Sequence, residues 1–525
     1  MSETGTELPT IPEELRRALA DVVGEDAVLV ERAKVDEYKD AYWVPGDETY
    51  AASAVVLPTS TEQVQAIMRL ANEYDIPVWP HGQGRNVGYG GPSPRVRGSI
   101  QISFHRMNRV LEIDDELAYA VVEPGVRWFD LYDAVKAKGY RLMTPTPDLG
   151  WGSVIGNQLD NGVVYQPLGK DQQTINGLEV VLPDGDLLRT GMGAQDGNKS
   201  WHLYKRMLGP TIDPLFAQGN YGIVTKAGVW LSRLPESYIP TMLTIWDDAD
   251  LEQAIDTMRE LKLAGYLEGV PTMYPTLRAA VMLRDDKVLD ARRQITAEDV
   301  KEIAERNGVG AWSVRAAIWG DAEMAQLKLR RIKEAWARIP SGTVSAERSY
   351  SPDEYDEIVY SADQIMIGIP TLKAIENTPD HVAHIGFSPV VALKGSEVRK
   401  VIDEMRKQIL AFGLNFSGGI MLTNDRSCLL VAGMQFDRTD KASTENAYRL
   451  AKHLVVEIGK LGYGEYRAHL DIMDLASAQY GFNDHAYQRF VRKLKDAIDP
   501  NGILMPGRHG VWPKRYLPGG DLHQG

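Results

Sequence analysis

At 525 residues the chain is long enough for two or three hydrophobic cores, because a single core stops growing near about 250 to 300 residues. With 44% apolar and 25% charged residues the composition is that of a soluble globular protein. A net charge of −14 argues against a nucleic-acid partner, since such affinity comes largely from neutralising phosphates.

The first residues, Met1-Ser-Glu-Thr-Gly-Thr-Glu-Leu8, lack the basic and apolar regions of a signal peptide. No apolar run reaches the roughly 18 residues of a membrane span. With one cysteine in the whole chain, these features suggest a cytoplasmic protein without a membrane partner. A helix is expected over Pro12 to Val23, followed by an unassigned polar tract, rich in Tyr and Asp, up to residue 50. Ala54 to Pro58 reads as a buried strand. Ser60-Thr-Glu-Gln63 is a capping box, and Val64, Ile67, Met68 and Ala71 then recur at the spacing of a helix that buries one face. Ile76 to Trp79 is the next strand. It delivers the chain into Pro80-His-Gly-Gln-Gly-Arg-Asn-Val-Gly-Tyr-Gly-Gly91, whose glycines free several amides to converge on one anion such as a diphosphate. The alternative for such a cluster is an ordinary surface loop. A Rossmann fingerprint is set aside, because Gly82, Gly84 and Gly88 miss its spacing and no helical pattern follows.

Short strands come next, at Ile100 to Ser103, Val110 to Ile113 and Tyr119 to Val122, then a helix with Trp128, Leu131, Tyr132 and Val135 on one face. Further Gly-punctuated stretches at 123–126, 146–153, 156–162 and 219–225 suggest a long ligand gripped in several places. Beyond Pro235, strands at 241–246 and 311–319 alternate with helices at 251–261 and 324–336. A similar series follows, with strands near 383–391, 415–422 and 428–436 and helices near 396–411 and 441–460. The fold class is α+β, and four segments are expected: an N-terminal extension 1–50, a nucleotide-binding domain 51–235, a second α+β domain 236–460, and a segment 461–525 rejoining the first domain.

The ten histidines form no metal motif, so no metal is expected, and no G-x-S-x-G elbow suggests a serine hydrolase. Cys428 lies in an apolar run and reads as a buried, inert thiol. Tyr466-Arg467 reads as a surface ion-pairing site or, joined with Tyr89, as a cradle of two hydroxyls and a guanidinium for an anionic oxygen.

Taken together, Gly88-Tyr-Gly-Gly91, Pro147-Asp-Leu-Gly-Trp-Gly-Ser153, Gly177-Leu-Glu-Val-Val-Leu-Pro183, Gly222-Ile-Val-Thr-Lys226, His384-Ile-Gly-Phe-Ser-Pro-Val390, Gly462-Tyr-Gly-Glu-Tyr-Arg467 and Asp499-Pro-Asn-Gly502 resemble the vanillyl-alcohol oxidase family of flavoproteins, specifically its bacterial oxidases of para-substituted phenols. The resemblance implies a two-lobed FAD-binding domain, completed by the C-terminal segment, under a cap domain. It implies FAD linked covalently to His384, and FAD contacts from Gly82, Gln83, Gly84, Arg85, Asn86, Gly88, Pro124, Gly125, Gly152, Ser153, Gly156, Asn157, Gly222, Ile223, Val224 and Arg508. Tyr89, Tyr466 and Arg467 match the trio that holds a phenolate, and Asp148 matches the carboxylate near flavin N5. Phe387, Ser388 and Phe416 are the expected substrate-pocket residues. The implied reaction takes a hydride from the para benzylic carbon of a 4-alkylphenol or 4-hydroxybenzylic alcohol, leaves a p-quinone methide, and ends on O₂ as H₂O₂. The alternatives are a 4-cresol-type dehydrogenase with a protein electron acceptor, disfavoured by a histidine at the linkage position, and a flavin-binding protein without turnover. Family habit implies a homodimer or larger assembly. Two departures stand out: Asn415-Phe-Ser-Gly-Gly419 where a family member carries a pocket glutamine, and Trp79-Pro-His-Gly-Gln-Gly84 at the start of the glycine loop.

Overall fold

A computed structural model describes residues 8–172, 174–289, 294–376 and 378–520; the N-terminal tract read against a signal peptide lies outside them except for Leu8. Among the described residues, the first lobe holds two larger sheets and a short ribbon that pairs Leu142–Met143 with Ser232–Arg233. In one, the strands Val28–Leu29, Ala54–Val56, Ile100–Ser103 and Val78–His81 lie side by side in that order, the last three parallel. The helix Thr61–Glu73 connects two of them, with Ser60 Oγ accepting from the Gln63 amide and Gln63 Oε1 accepting from the Thr59 amide. Its buried face is Val64, Ile67, Met68 and Ala71, the set expected from spacing. Val78–His81 starts two residues later than expected and includes Pro80, which an edge strand tolerates because one side of its ladder is open. The other sheet is antiparallel, ordered Val110–Asp114, Tyr119–Val122, Ile223–Trp230, Ile175–Val181, Leu187–Arg189.

The second domain is built on a seven-stranded antiparallel sheet, ordered Gly342–Ser345, Ser237–Ile245, Trp312–Gly320, Thr272–Pro275, Gly419–Met421, Ser427–Val431, Val390–Ala392. Helices Leu251–Leu263, Ala322–Trp336, Gly395–Ala411 and Lys441–Lys460 bury Ile255, Ile332, Ile402 and Leu454 in one core with Leu243, Val314 and Ile420 from the sheet.

Three expectations change. The first residues are no extension: Leu15 and Leu19 pack in one core with Ile67 and Val78, and Val28–Leu29 pairs with Ala54–Val56. The segment after 460 begins in the cap core, through Leu470 and Ile472, and reaches the first lobe only later, through Val491, Leu504 and Val511. Finally, the runs 383–391 and 428–436 are each two strands in different sheets. Val382–Ile385 pairs with Met434–Asp437 in a separate ribbon, while Val390–Ala392 pairs with Ser427–Val431 in the large sheet. The breaks fall at Gly386 to Pro389, where Pro389 has no amide to donate, and at Gly433, whose φ of +62° lies in the left-handed region.

Among the described residues, no helix is long and apolar enough to cross a membrane. Cys428 is buried in the cap core, and burial pushes its thiol up to about 12.

Candidate active site

A cavity of about 510 Å³ runs between the two domains. The strand Val78–His81 ends at its mouth, and the loop that follows lines it with Gly82, Gln83, Gly84, Arg85, Asn86 and Tyr89. Among the described residues, the amides from Gln83 to Asn86 donate to no protein group, so they form a nest open to an anion. Pro124, Gly152, Ser153, Gly156, Asn157, Gly222, Ile223, Val224 and Arg508 line the same cavity. Here Ser153 caps the helix Val154–Leu159: its Oγ accepts from the Gly156 amide at 2.9 Å and donates to Pro124 O at 2.6 Å, tying two glycine stretches together. Gly82 is required at that junction, because a Cβ would stand 2.5 Å from Ser153 Cβ.

Gly125 and Gly88 support the wall without lining it. Gly125 donates its amide to Met107 O at 2.7 Å, and a Cβ there would lie 1.9 Å from Phe104 O. Gly88, at φ +80°, abuts the His384 ring, where a Cβ would stand 2.7 Å from Cδ2. Gly88 O accepts from the Gly386 amide at 2.9 Å, so the glycine loop and the His384 ribbon are hydrogen-bonded to each other. His384 lines the cavity; burial, helped by the Arg278 charge, lowers its imidazole to about 4, leaving it neutral. Tyr42, from the tract that sequence left unassigned, meets His384 edge-on with 5.4 Å between ring centroids.

Tyr89, Tyr466 and Arg467 converge. The Arg467 guanidinium sits over the Tyr89 ring and 5.6 Å from the Tyr466 ring centroid, and its Nε is 3.7 Å from Asp160. Burial opposes its charge, yet Tyr466, Tyr89 and Asp160 raise its pKa, and burial raises that of the Tyr466 phenol. Asp160, which sequence reading passed over, is a hub. It accepts from Arg508 at 2.7 Å and Asn86 at 3.0 Å, and lies 3.5 Å from His509.

Asp148 stands on the same cavity and accepts from the Tyr165 hydroxyl at 2.6 Å and from Arg315 at 3.3 Å. Arg315, almost wholly buried, lies 4.3 Å from the Tyr165 ring centroid and 5.8 Å from that of Tyr274. Sequence reading also missed Tyr165, Tyr274 and Arg315, since each is a single residue within ordinary strand or loop texture.

The three expected pocket residues are not on the cavity wall. Phe387 and Phe416 point into the cap core, and Arg406 covers Phe416 at 5.5 Å. Ser388 is buried behind the site: its amide donates to Glu465 at 2.8 Å and its carbonyl accepts from the Tyr466 amide at 3.2 Å, so it serves as backbone support. The cap wall is instead formed by Thr272, Tyr274, Arg278, Ser417, Gly419 and Met421.

A family model described as an FAD binding domain matches residues 52–191. The flavoprotein subunit of 4-cresol dehydrogenase [hydroxylating] from Pseudomonas putida is 31% identical over 93% of this chain and 94% of its own length. The 4-ethylphenol oxidase from Gulosibacter chungangensis, solved with isoeugenol, superposes with a TM-score of 0.91 at 32% identity, covering 97% of this chain and all (100%) of that one. This chain belongs to the vanillyl-alcohol oxidase family of FAD-dependent oxidoreductases. A p-cresol methylhydroxylase structure with bound substrate, also of this fold, superposes at a TM-score of 0.88 with 29% identity, covering 96% of this chain and 99% of its own. The open amides of Gln83 to Asn86, on a cavity that Arg85 and Arg508 also line, have the donor chemistry that a diphosphate such as that of FAD, which the family binds, would need. The fold therefore has the two-lobed FAD-binding architecture with an α+β cap.

Proposed function

We propose that this enzyme oxidises 4-alkylphenols or 4-hydroxybenzylic alcohols at the carbon para to the hydroxyl, with FAD attached covalently to His384 and O₂ as final acceptor. The observation that carries the reading is Arg467, a buried guanidinium set against the rings of Tyr89 and Tyr466 in the cavity that also holds Asp148 and the glycine loop. FAD, when bound, supplies a hydride acceptor.

The residues do the rest. A phenol with a pKa of about 10 needs about 3 units of depression to ionise near neutral pH, or about 4 kcal/mol. Charge-assisted hydrogen bonds, at about 1.5 to 3 kcal/mol each, can supply it. Arg467 provides the charge, and the tyrosine hydroxyls provide further donors. Ionised, the oxygen pushes electron density through the ring, so that hydride leaves the benzylic carbon and a p-quinone methide remains. Asp148, held by Tyr165 and Arg315, keeps a fixed carboxylate beside the reacting carbon, where it stabilises developing positive character. Loss of a proton then yields a vinylphenol or an aldehyde, and addition of water yields an alcohol; each balances against reduction of O₂ to H₂O₂. Neutral and buried, His384 has the free electron pair that a covalent link to the cofactor requires.

The likeness to a protein named as a flavoprotein subunit favours one second reading, transfer of electrons to a protein acceptor instead of O₂. A single experiment addresses both. Under nitrogen, 4-ethylphenol should bleach the yellow holoenzyme while 4-ethylanisole, which cannot ionise, leaves it oxidised; air should then restore the colour with stoichiometric H₂O₂. Equal bleaching by the two compounds would end the phenolate reading. Bleaching without rapid recovery in air would favour the protein acceptor. Acid-precipitated protein should stay yellow and His384→Ala protein should not.

A further inference from the structure

Among the described residues, four arginines line the cavity: Arg85, Arg278, Arg467 and Arg508. Three of them are engaged. Arg85 lies 5.0 Å from the Trp151 ring centroid, Arg467 packs on Tyr89, and Arg508 donates to Asp160 at 2.7 Å. Arg278, half-buried on the first turn of the helix Thr276–Met282, has no hydrogen bond, ion pair or ring contact among the described residues. Among the described residues, the two carboxylates on the cavity wall are already satisfied, Asp148 by Tyr165 and Arg315 and Asp160 by Arg508 and Asn86. A cation in a partly enclosed, low-dielectric cavity gains most from an anion that arrives with the ligand.

Its place in the cavity is distinct from that of the phenol-binding trio. The helix follows directly on the strand Thr272–Pro275, whose Thr272 and Tyr274 line the cap wall together with Ser417, Gly419 and Met421 on and just before the paired strand Gly419–Met421. The charge on Arg278 acts on Tyr274 and His384, whereas the charges that shape Tyr466 and Arg467 come from each other, Tyr89 and Asp160. The diphosphate nest lies on the other domain, at Gln83 to Asn86. The cap wall therefore carries a cation that no protein group among the described residues pairs, on the same cavity as Arg467 and on a different element from the trio. An apolar side chain would leave it unmatched.

We propose that Arg278 binds a carboxylate carried on the para side chain, so that the preferred substrates are 4-hydroxyphenyl compounds with an anionic side chain. This rests on the phenol reading above.

Binding to the dithionite-reduced holoenzyme under nitrogen, where turnover cannot start, tests it by calorimetry with 3-(4-hydroxyphenyl)propanoate, its methyl ester and 4-propylphenol. Wild type should bind the propanoate about tenfold to a hundredfold more tightly than the ester. In Arg278→Met that ratio should fall to about one, and in Arg278→Lys part of it should return, at unchanged FAD content. Binding of 4-propylphenol without any preference for the propanoate in wild type, or a preference that survives in Arg278→Met, would overturn the assignment to Arg278 alone. Failure of all three phenols to bind would overturn the phenol reading and this inference with it.

Discussion

The guanidinium carbon of Arg467 lies 3.9 Å from the centroid of the Tyr89 ring, although the two residues come from opposite ends of the chain. A cation held on a phenol face is oriented as well as charged, so its N–H groups point in a fixed direction. We expect Arg467→Met to keep its FAD and to bind phenolic inhibitors about tenfold to a hundredfold more weakly, read by flavin absorbance titration. Unchanged affinity would put the phenol oxygen elsewhere.

Arg315 reaches Asp148 from the cap sheet, so the orientation of the carboxylate depends on a residue of the other domain. Arg315→Met should destabilise the protein by about 1 to 3 kcal/mol in urea unfolding. It should also slow anaerobic reduction by 4-ethylphenol more than it weakens phenol binding, because the trio is untouched. A variant that loses affinity and rate equally would show that Arg315 only packs.

Gly88→Ala introduces a methyl 2.7 Å from His384 Cδ2 at a backbone φ of +80°. The ring must turn away, and the left-handed conformation itself costs about 1 to 2 kcal/mol with a side chain. The expected product binds FAD but releases it on acid precipitation. Fully acid-stable flavin in this variant would mean that the His384 position tolerates displacement.

Asp160 is nearly buried among Arg467, Arg508 and His509. Burial raises its pKa, but Arg508 and its neighbours outweigh that and hold the carboxyl well below the usual range. Asp160→Ala leaves the Arg467 and Arg508 guanidiniums facing each other and should cost about 3 to 5 kcal/mol, measured as a lowered urea midpoint. Asp160→Asn, which can still accept a hydrogen bond, should lose less.

Acid should weaken the fold in part through His81. Burial, with His105 nearby, lowers the His81 imidazole to about 3, and both its ring nitrogens are closed off without a partner. Unfolded, it takes up a proton near pH 6.5, so across the window from about pH 6.5 to 3 the unfolded state binds more protons and stability falls with pH. The melting temperature should drop from pH 7 to pH 4.5, and by less in His81→Gln. An equal drop in both proteins would assign the acid sensitivity to other groups.

The parts of the site that were legible in sequence are those where one stretch carries its own constraint. The capping residues from Ser60 mark a helix start and glycines at 82 to 91 mark a backbone nest, whereas Tyr466-Arg467 reads first as a surface ion-pairing site and joins Tyr89 only through the family resemblance. Arg315 was not legible, because Trp312 to Gly320 reads as a strand buried on both faces and nothing local says that its cation meets a carboxylate from another domain. Asp160 was hidden for the same reason: its partners lie at 86, 467 and 508. Phe387 and Phe416 misled because large side chains close to a motif look like pocket walls, whereas both pack in the cap core. The exchange of strands between sheets at those breaks depends on pairing across about fifty residues, which periodicity along one strand does not reveal.

The Val78 amide donates to Ile503 O at 2.9 Å, and Val78 O accepts from the Met505 amide at 2.9 Å. The edge strand that aims the glycine loop is thus completed by a partner lying most of the chain away. During synthesis, therefore, the strand that leads into Gln83 to Asn86 gains this partner only after residues near 505 have been made.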